Sequence, residues 1–355
     1  MESKRIEYID TAKFLAMILI VFSHGAKEGN LIAFLFSFHL PVFFFLNGMT
    51  LKIGNQTFAD FLVKKLKRYV LPMFGLGILC VLFDYLIRSL TNTHLTDHDI
   101  LYGFSRIINQ TRAYAIWFLT ALFFVDLMLF GLSKLFKDKL IPMGISSLAI
   151  LGVGLAYILF YNIPFAWNFD ASLFGLIFTY FGYAFHHPKC TKVYNLLTRR
   201  RMVGFIVGLC LMYVTYLLSI YNYTTQIAHL EMFSRIYRAA YITLPCALIG
   251  CFGFTLLCRG ITTPVLAKPV EINLALLAFH QVLAFPLFMN FIAKDWWIAV
   301  WSLPTTDPRF LAYVLTATAF AIALSAAIHF LLKYSPLSLI VNQPLPDFYR
   351  KKSLH

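Results

Sequence analysis

Asp10, Lys13 and His24 share one otherwise apolar run, Asp10-Thr-Ala-Lys13-Phe-Leu-Ala-Met-Ile-Leu-Ile-Val-Phe-Ser-His24. An ionisable residue in a segment that can enter a membrane is costly, so it marks a functional site by default. At about 100° per residue, eleven steps bring His24 to within roughly 20° of Lys13, and fourteen to within about 40° of Asp10. One helix face therefore carries an acid, a cation and an imidazole, with Lys13 and His24 about 16 Å apart along the axis. An imidazole can take a proton from a hydroxyl or attack a carbonyl itself. An ammonium further along the same face can hold an anionic group. The structural alternatives are plain. His24 could be a buried histidine hydrogen-bonded between helices. Lys13 could snorkel to an interface or pair with Asp10, three residues back.

The composition says what kind of element positions these groups. The chain of 355 residues is 60% hydrophobic and only 13% charged, and it holds 37 Phe and 19 Tyr. Soluble domains carry roughly twice that share of charge. The chain reads as an all-α, polytopic integral membrane bundle in a lipid bilayer. Apolar segments fall at about 9–26, 31–51, 70–90, 114–133, 140–161, 170–186, 202–221, 239–258, 271–292 and 310–332, about ten transmembrane helices in all. Residues 1–332 form the transmembrane unit and 333–355 a cytoplasmic tail. The first segment has a short uninterrupted apolar core, Phe14 to Phe22, so it reads as a helix enclosed by the bundle. No small-residue cleavage site follows it, which predicts no removable signal peptide.

Basic residues orient the bundle. With the N-terminus in the cytoplasm, 21 of the 30 Lys and Arg fall on the cytoplasmic side and 8 outside, with Lys13 within a span. That asymmetry predicts both termini inside and the Thr91–Arg112 loop outside. It also accounts for the net charge of +14 without any nucleic acid, since cytoplasmic loops face anionic headgroups. Lys64, Lys65 and Lys67 belong to this inner set. The six cysteines lie in or beside spans, and no CxxC occurs. Neither structural disulfides nor a metal site are expected. His186 and His187 diverge by about 100° on a helix, which is no metal pair. Asp126, inside the fourth span, must find a hydrogen-bonding partner. Trp117 and Phe118 fall where an interfacial aromatic belt would sit. Glu28, four residues past His24, reads as a solvated loop acid.

Further motifs follow in order. Phe38-His39-Leu-Pro41-Val-Phe-Phe-Phe-Leu-Asn47-Gly48 lies in the second span, where Pro41 should break the helix and leave carbonyls seeking partners. His39 either satisfies that break or joins the chemistry. Then come Lys64-Lys65-Leu-Lys67-Arg68-Tyr-Val-Leu-Pro72, Ile116-Trp117-Phe118-Leu119 and Asn273-Leu-Ala-Leu-Leu-Ala-Phe-His280. This series resembles the acyltransferase-3 family of integral membrane acyltransferases, and in particular its fucose 4-O-acetylase-like branch. The resemblance spans nearly the whole chain, and the first 72 residues are its specific part. Lys13 stands where the family often has Arg, which keeps the charge but loses the bidentate fork. Asn47 stands where Ser is usual.

The resemblance implies a bacterial cell-membrane enzyme that moves an acyl group from acyl-CoA, acetyl-CoA above all, to a carbohydrate acceptor. It implies catalytic roles for His24, Asp10 and His39, and binding of coenzyme A phosphates by Lys13 and Arg68. Whether His24 acts as general base or carries the acyl group is left open. No esterase-like domain is appended, so any glycan-processing partner enzyme is expected to be a separate chain. The other class that suits buried His, Asp and Lys is a proton-coupled secondary transporter. Paired halves with matching broken helices, the mark of many carriers, are not seen. A membrane scaffold or sensor is the third reading, which apolar composition alone would also fit.

Overall fold

Backbone amides in lipid must find partners inside the protein, and the described residues answer this with helices. In the computed structural model, residues 6–91, 96–161, 163–190, 200–226, 230–237 and 239–346 are described. Among them there is no strand, only one isolated bridge between Glu231 and Ile236. The helices are α1 (Glu7–Gly25), α2 (Asn30–Phe38), α3 (Pro41–Thr50), α4 (Phe58–Leu90), α5 (Asp97–Asn109), α6 (Trp117–Leu135) and α7 (Leu140–Phe160). They continue with α8 (Phe169–His186), α9 (Arg201–Gln226), α10 (Ala240–Ile261), α11 (Pro264–Ile292), α12 (Lys294–Trp301) and α13 (Pro308–Lys333).

Nine segments among the described residues are long and apolar enough to cross a membrane, with α2 and α3 counted as one. The chain is thus a multi-pass membrane protein. The sixth predicted segment, 170–186, is not among these nine; it forms α8, which carries Asp170 in its first turn and His186 in its last. Twelve of its 18 residues are buried, so protein surrounds most of it. Lys4, Arg5, Lys192, Arg199, Arg238, Arg350, Lys351 and Lys352, part of the basic-residue reading, lie outside the described residues, as do both chain ends.

Burial sorts the helices into layers. The α2–α3 segment is 78% buried, whereas α7 and α9 are 22% buried and form the periphery. Helix α1 is 56% buried and contacts α2, α3, α10, α11 and α13, which agrees with its reading as an enclosed helix. Helices α3 and α8 lie almost backbone to backbone. A Cβ at Gly48 would fall on the Thr179 carbonyl, and one at Gly182 on the Phe45 carbonyl. Small residues at such crossings are what close packing in lipid requires.

Proline interrupts the helices next to the interior. Pro41 starts α3 after a break at His39 and Leu40. Pro72 in α4 removes the donor that would meet the Arg68 carbonyl four residues back. The Asn342 amide fills that place at 3.1 Å. A π turn at Leu66–Val70 precedes Pro72, and another at His280–Ala284 precedes Pro286 in α11. Such turns rotate the next stretch of helix and recur at functional sites. The connection between α4 and α6 also holds a helix that the sequence reading missed. Thr96 and Asp99 form a capping box that starts α5, a four-residue signature visible in the sequence.

One buried polar knot ties three elements together. The Lys65 ammonium lies 2.6 Å from Asp126 Oδ2. Asn47 Nδ2 donates to Asp126 Oδ1 at 2.6 Å. The Tyr69 hydroxyl reaches Asp126 Oδ2 at 3.1 Å and Asn47 Oδ1 at 3.0 Å. Asp126 is fully buried and Lys65 is 8% exposed, so Lys65 turns from the basic run into the bundle. It lies on the buried stripe Phe61, Lys65, Tyr69 and Met73, four residues apart at each step. Removing one partner of a buried pair costs about 3–5 kcal/mol, whereas replacing both by apolar groups is often neutral. Asp126→Ala should therefore lower the melting temperature of the detergent-solubilised protein sharply, and Lys65→Met with Asp126→Leu should recover most of it. An unchanged midpoint for Asp126→Ala would contradict the pair's structural role.

Candidate active site

Helix α1 presents its polar face to two cavities stacked along its length. The lower holds about 340 Å³ and is lined by Asp10, Lys13, Asn47, Arg68, Tyr69 and Glu271, among others. The upper holds about 380 Å³, and His24, His39, Arg106, Trp117 and Gln281 are part of its lining. Phe118 and Leu277 line both, so these two apolar side chains form the partition between them. The helical spacing read from the sequence is thus realised. Lys13 and His24 lie about 16 Å apart on one face, each opening into its own chamber.

The lower chamber is bounded by charge. Glu271 pairs with Lys333 at 2.8 Å, so two other cations, Lys13 and Arg68, face it alongside Asp10. Arg68 is exposed and Lys13 half-buried. Asn273 Nδ2 donates to the Lys13 carbonyl at 3.0 Å and fastens α11 to α1 at this level. Val341, Asn342 and Gln343, beyond the last transmembrane helix, fold back to complete the wall.

The upper chamber centres on His24, whose side chain is open to it. Gln281 Nε2 lies 2.9 Å from His24 Nδ1. A primary amide can present either end at this distance. With its nitrogen towards the ring, Gln281 donates and the imidazole proton sits on Nε2. With its oxygen there, Nδ1–H donates and Nε2 becomes the base. The His280 ring centroid lies 5.2 Å from that of His24. His280 donates from Nδ1 to the Leu276 carbonyl at 2.7 Å, which leaves its buried Nε2 as an acceptor with no protein partner. His39 is fixed differently. The Ser23 hydroxyl gives its hydrogen to the Ile20 carbonyl at 2.8 Å, so its oxygen accepts from His39 Nε2, 3.2 Å away. This contact locks the break before Pro41 against α1.

The rim is built from the loop between α5 and α6. Arg112 is buried, pairs with Asp170 at 2.6 Å, and donates to Asn168 Oδ1 at 3.0 Å. Asn168 in turn donates to Thr120 Oγ1 at 2.8 Å. Gln110, Arg112 and Tyr114 all have left-handed φ, at 49°, 54° and 45°. Side chains resist this region, at about 1–3 kcal/mol for each strained residue, so the Arg112 ties hold the loop in place.

Of the residues singled out from the sequence, His24 and His39 share the upper chamber. Asp10, Lys13 and Arg68 share the lower, so Asp10 is not brought next to His24. Trp117 and Phe118 are 5% and 4% exposed and face the chambers, not a lipid interface, which corrects the aromatic-belt reading. Their place at the start of α6, beneath the ordered rim loop, turns them inward. Glu28 is exposed. His187 bonds Asp138 at 2.8 Å, and no group of His, Cys, Asp and Glu among the described residues could hold a metal ion. Burial would raise the Asp138 carboxyl, but hydrogen bonds from His187, Tyr183 and Ser133 outweigh it and hold the group below its ordinary range. Sequence reasoning missed Gln281, 257 residues from its partner.

A family model described as an acyltransferase domain matches residues 6–332. No curated protein and no solved structure matches the chain.

The geometry separates three of the described histidines by reactivity. His24 faces open space, while His280 and His329 are fully buried. Brief treatment of the detergent-solubilised protein with diethyl pyrocarbonate should modify His24 well ahead of His280 and His329. Peptide mass spectrometry reads this directly, and equal modification of His24 and His280 would overturn the chamber assignment.

Proposed function

The chain belongs to the acyltransferase-3 family, and from this premise we propose that it is an O-acetyltransferase. In this reading, acetyl-CoA is the donor and a hydroxyl of a cell-surface or lipid-linked carbohydrate the acceptor, as in the fucose 4-O-acetylase-like branch. The observation that carries it is the pair of chambers meeting at Phe118 and Leu277, with cations in one and an imidazole in the other. Coenzyme A is long and keeps its phosphates and its thioester at opposite ends. Its phosphates lie by Lys13 and Arg68, and the pantetheine arm passes Phe118 and Leu277. The acyl group then stands beside His24, while the carbohydrate enters the upper chamber.

His24 acts in one of two ways. As general base it removes the acceptor hydroxyl proton while the oxygen bonds to the thioester carbonyl carbon. The carbon–sulfur bond then breaks, and the thiolate of coenzyme A leaves and takes up that proton. As nucleophile, the neutral imidazole first displaces the thiolate to give an acylimidazolium; the acceptor oxygen then displaces the imidazole, and its hydroxyl proton goes to the thiolate of coenzyme A. Both routes balance, and both need the tautomer that Gln281 controls. His39, held by Ser23, orients the acceptor in the same chamber. Asp10 orients the Lys13 ammonium in the donor mouth. The enzyme sits in the cell membrane with both termini and the Lys13 mouth in the cytoplasm, where acetyl-CoA is made.

The two ends should fail differently. Lys13→Ala or Arg68→Ala should raise KM for acetyl-CoA and be rescued in part by excess donor. His24→Ala should keep coenzyme A binding and lose turnover by about 10²–10⁴-fold. Transfer of radiolabelled acetyl from acetyl-CoA to isolated surface glycan measures both. Near-normal transfer by well-folded His24→Ala would remove His24 from the mechanism, and unchanged donor KM in both cationic-site variants would remove the donor mouth.

A further inference from the structure

A third cavity, of about 160 Å³, lies between the outer half of α4, helix α5 and the loop before α6. It is lined by Asp84, Tyr85, Arg88, Asp99, Tyr102, Arg106 and Tyr114 together with Val81, Ile100 and Gly103. Arg106 and Tyr114 also line the His24 chamber, so the two spaces adjoin across these side chains. Asp84 lies sixteen residues beyond Arg68 on one continuous helix, or about 24 Å at 1.5 Å per residue. The cavity is thus at the end of the molecule opposite the donor mouth.

Its chemistry differs from that of both chambers. Two carboxylates and two guanidinium groups balance in charge, which disfavours a phosphate or another anion. These groups are held in fixed positions. Asp84 accepts from Arg88 Nε at 3.2 Å and from the Tyr114 hydroxyl at 3.3 Å. The Arg106 guanidinium lies 5.9 Å from the ring centroids of both Tyr102 and Tyr114. Asp99 is held by the Thr96 amide and hydroxyl at the start of α5. Flat aromatic faces beside fixed acids and guanidinium groups suit a ring with C–H bonds on its faces and hydroxyls at its edge. The volume equals about five waters at ~30 Å³ each, which fits one small sugar ring and not a polymer.

We propose that this cavity is a saccharide subsite, which holds the sugar next to the one being acylated. The inference rests on the carbohydrate acceptor proposed above. The acceptor then lies across Arg106 and Tyr114, with one ring at His24 and its neighbour between Tyr102 and Asp84. The enzyme reads a linked pair of sugars, and α5 is a specificity element.

The test uses purified full-length protein, radiolabelled acetyl-CoA, and a panel of methyl hexosides and methyl 6-deoxyhexosides with their matching disaccharides. Wild-type enzyme should prefer a disaccharide over its monosaccharide. Tyr102→Ala and Asp84→Asn should raise KM for the disaccharide about tenfold, the equivalent of ~1.4 kcal/mol, and should abolish the preference. KM for acetyl-CoA should stay within twofold. Tyr102→Phe, which keeps the ring, should behave as wild type; this separates a stacking role from a merely structural one. If wild type acetylates these acceptors and both variants keep its acceptor KM and preference, the subsite is overturned while the acyltransferase reading stands. If wild type transfers acetyl to no saccharide, in the panel or on isolated surface glycan, the carbohydrate reading fails and takes the subsite with it. A change in copurifying phospholipid without a change in acceptor KM would assign the cavity to a lipid headgroup and overturn the proposal.

Discussion

The Lys65–Asp126 pair is the constraint on which the interior depends. A carboxylate with no exposed surface in the middle of α6 is sustainable only if its charge is met and its lone pairs are filled. Lys65 meets the charge from α4, and Asn47 and Tyr69 fill the remaining positions from α3 and α4. Three helices are thereby held at one height and rotation. Asn47 and Tyr69 are also walls of the lower chamber, so the same contacts that stabilise the bundle set the shape of that chamber. An apolar core alone would let these helices slide, because lipid tails solvate Leu and Phe as well as another helix does.

From this anchor the helical irregularities become intelligible. The π turn that follows Lys65 separates its inward-facing side chain from Arg68, which opens into the chamber three residues later. The break before Pro41 lets His39 reach α1 instead of continuing a helical stripe. The π turn beginning at His280 carries Gln281 towards His24. These three departures from regular helix lie where a side chain points into a chamber. Between them the long regular helices α7 and α9 serve as cladding, with few buried residues.

The upper end is held by a second buried pair, Arg112 with Asp170, fixed to the loops before α6 and α8. A carboxylate in the first turn of α8 is favourable in its own right, since the helix dipole is positive there. The arrangement closes the rim over Trp117 and leaves Arg106 and Tyr114 as the boundary between the His24 chamber and the outer cavity. The two buried ion pairs therefore bracket the two chambers, Lys65–Asp126 beside the lower and Arg112–Asp170 beside the upper.

Much of this was legible in the residues. Hydropathy and length determined an all-α membrane bundle, because unbroken apolar runs of about twenty residues satisfy their backbone in lipid as helices, whereas barrel strands are short and alternate. Helical periodicity put Asp10, Lys13 and His24 on one face, and Pro41 marked the break in the second span. Periodicity says which residues share a face, but not what stands opposite. Lys65 looked like one cation in a basic run, and only the approach of Asp126, 61 positions later, drew it inside. Trp117 and Phe118 had the composition of an interface belt until the rim loop turned them inward. Gln281 and His280 meet His24 across more than 250 residues, and the Phe118–Leu277 partition joins α6 to α11. Those juxtapositions belong to the tertiary structure alone, because buried polar groups choose partners by proximity in the packed bundle, and no local pattern encodes that proximity.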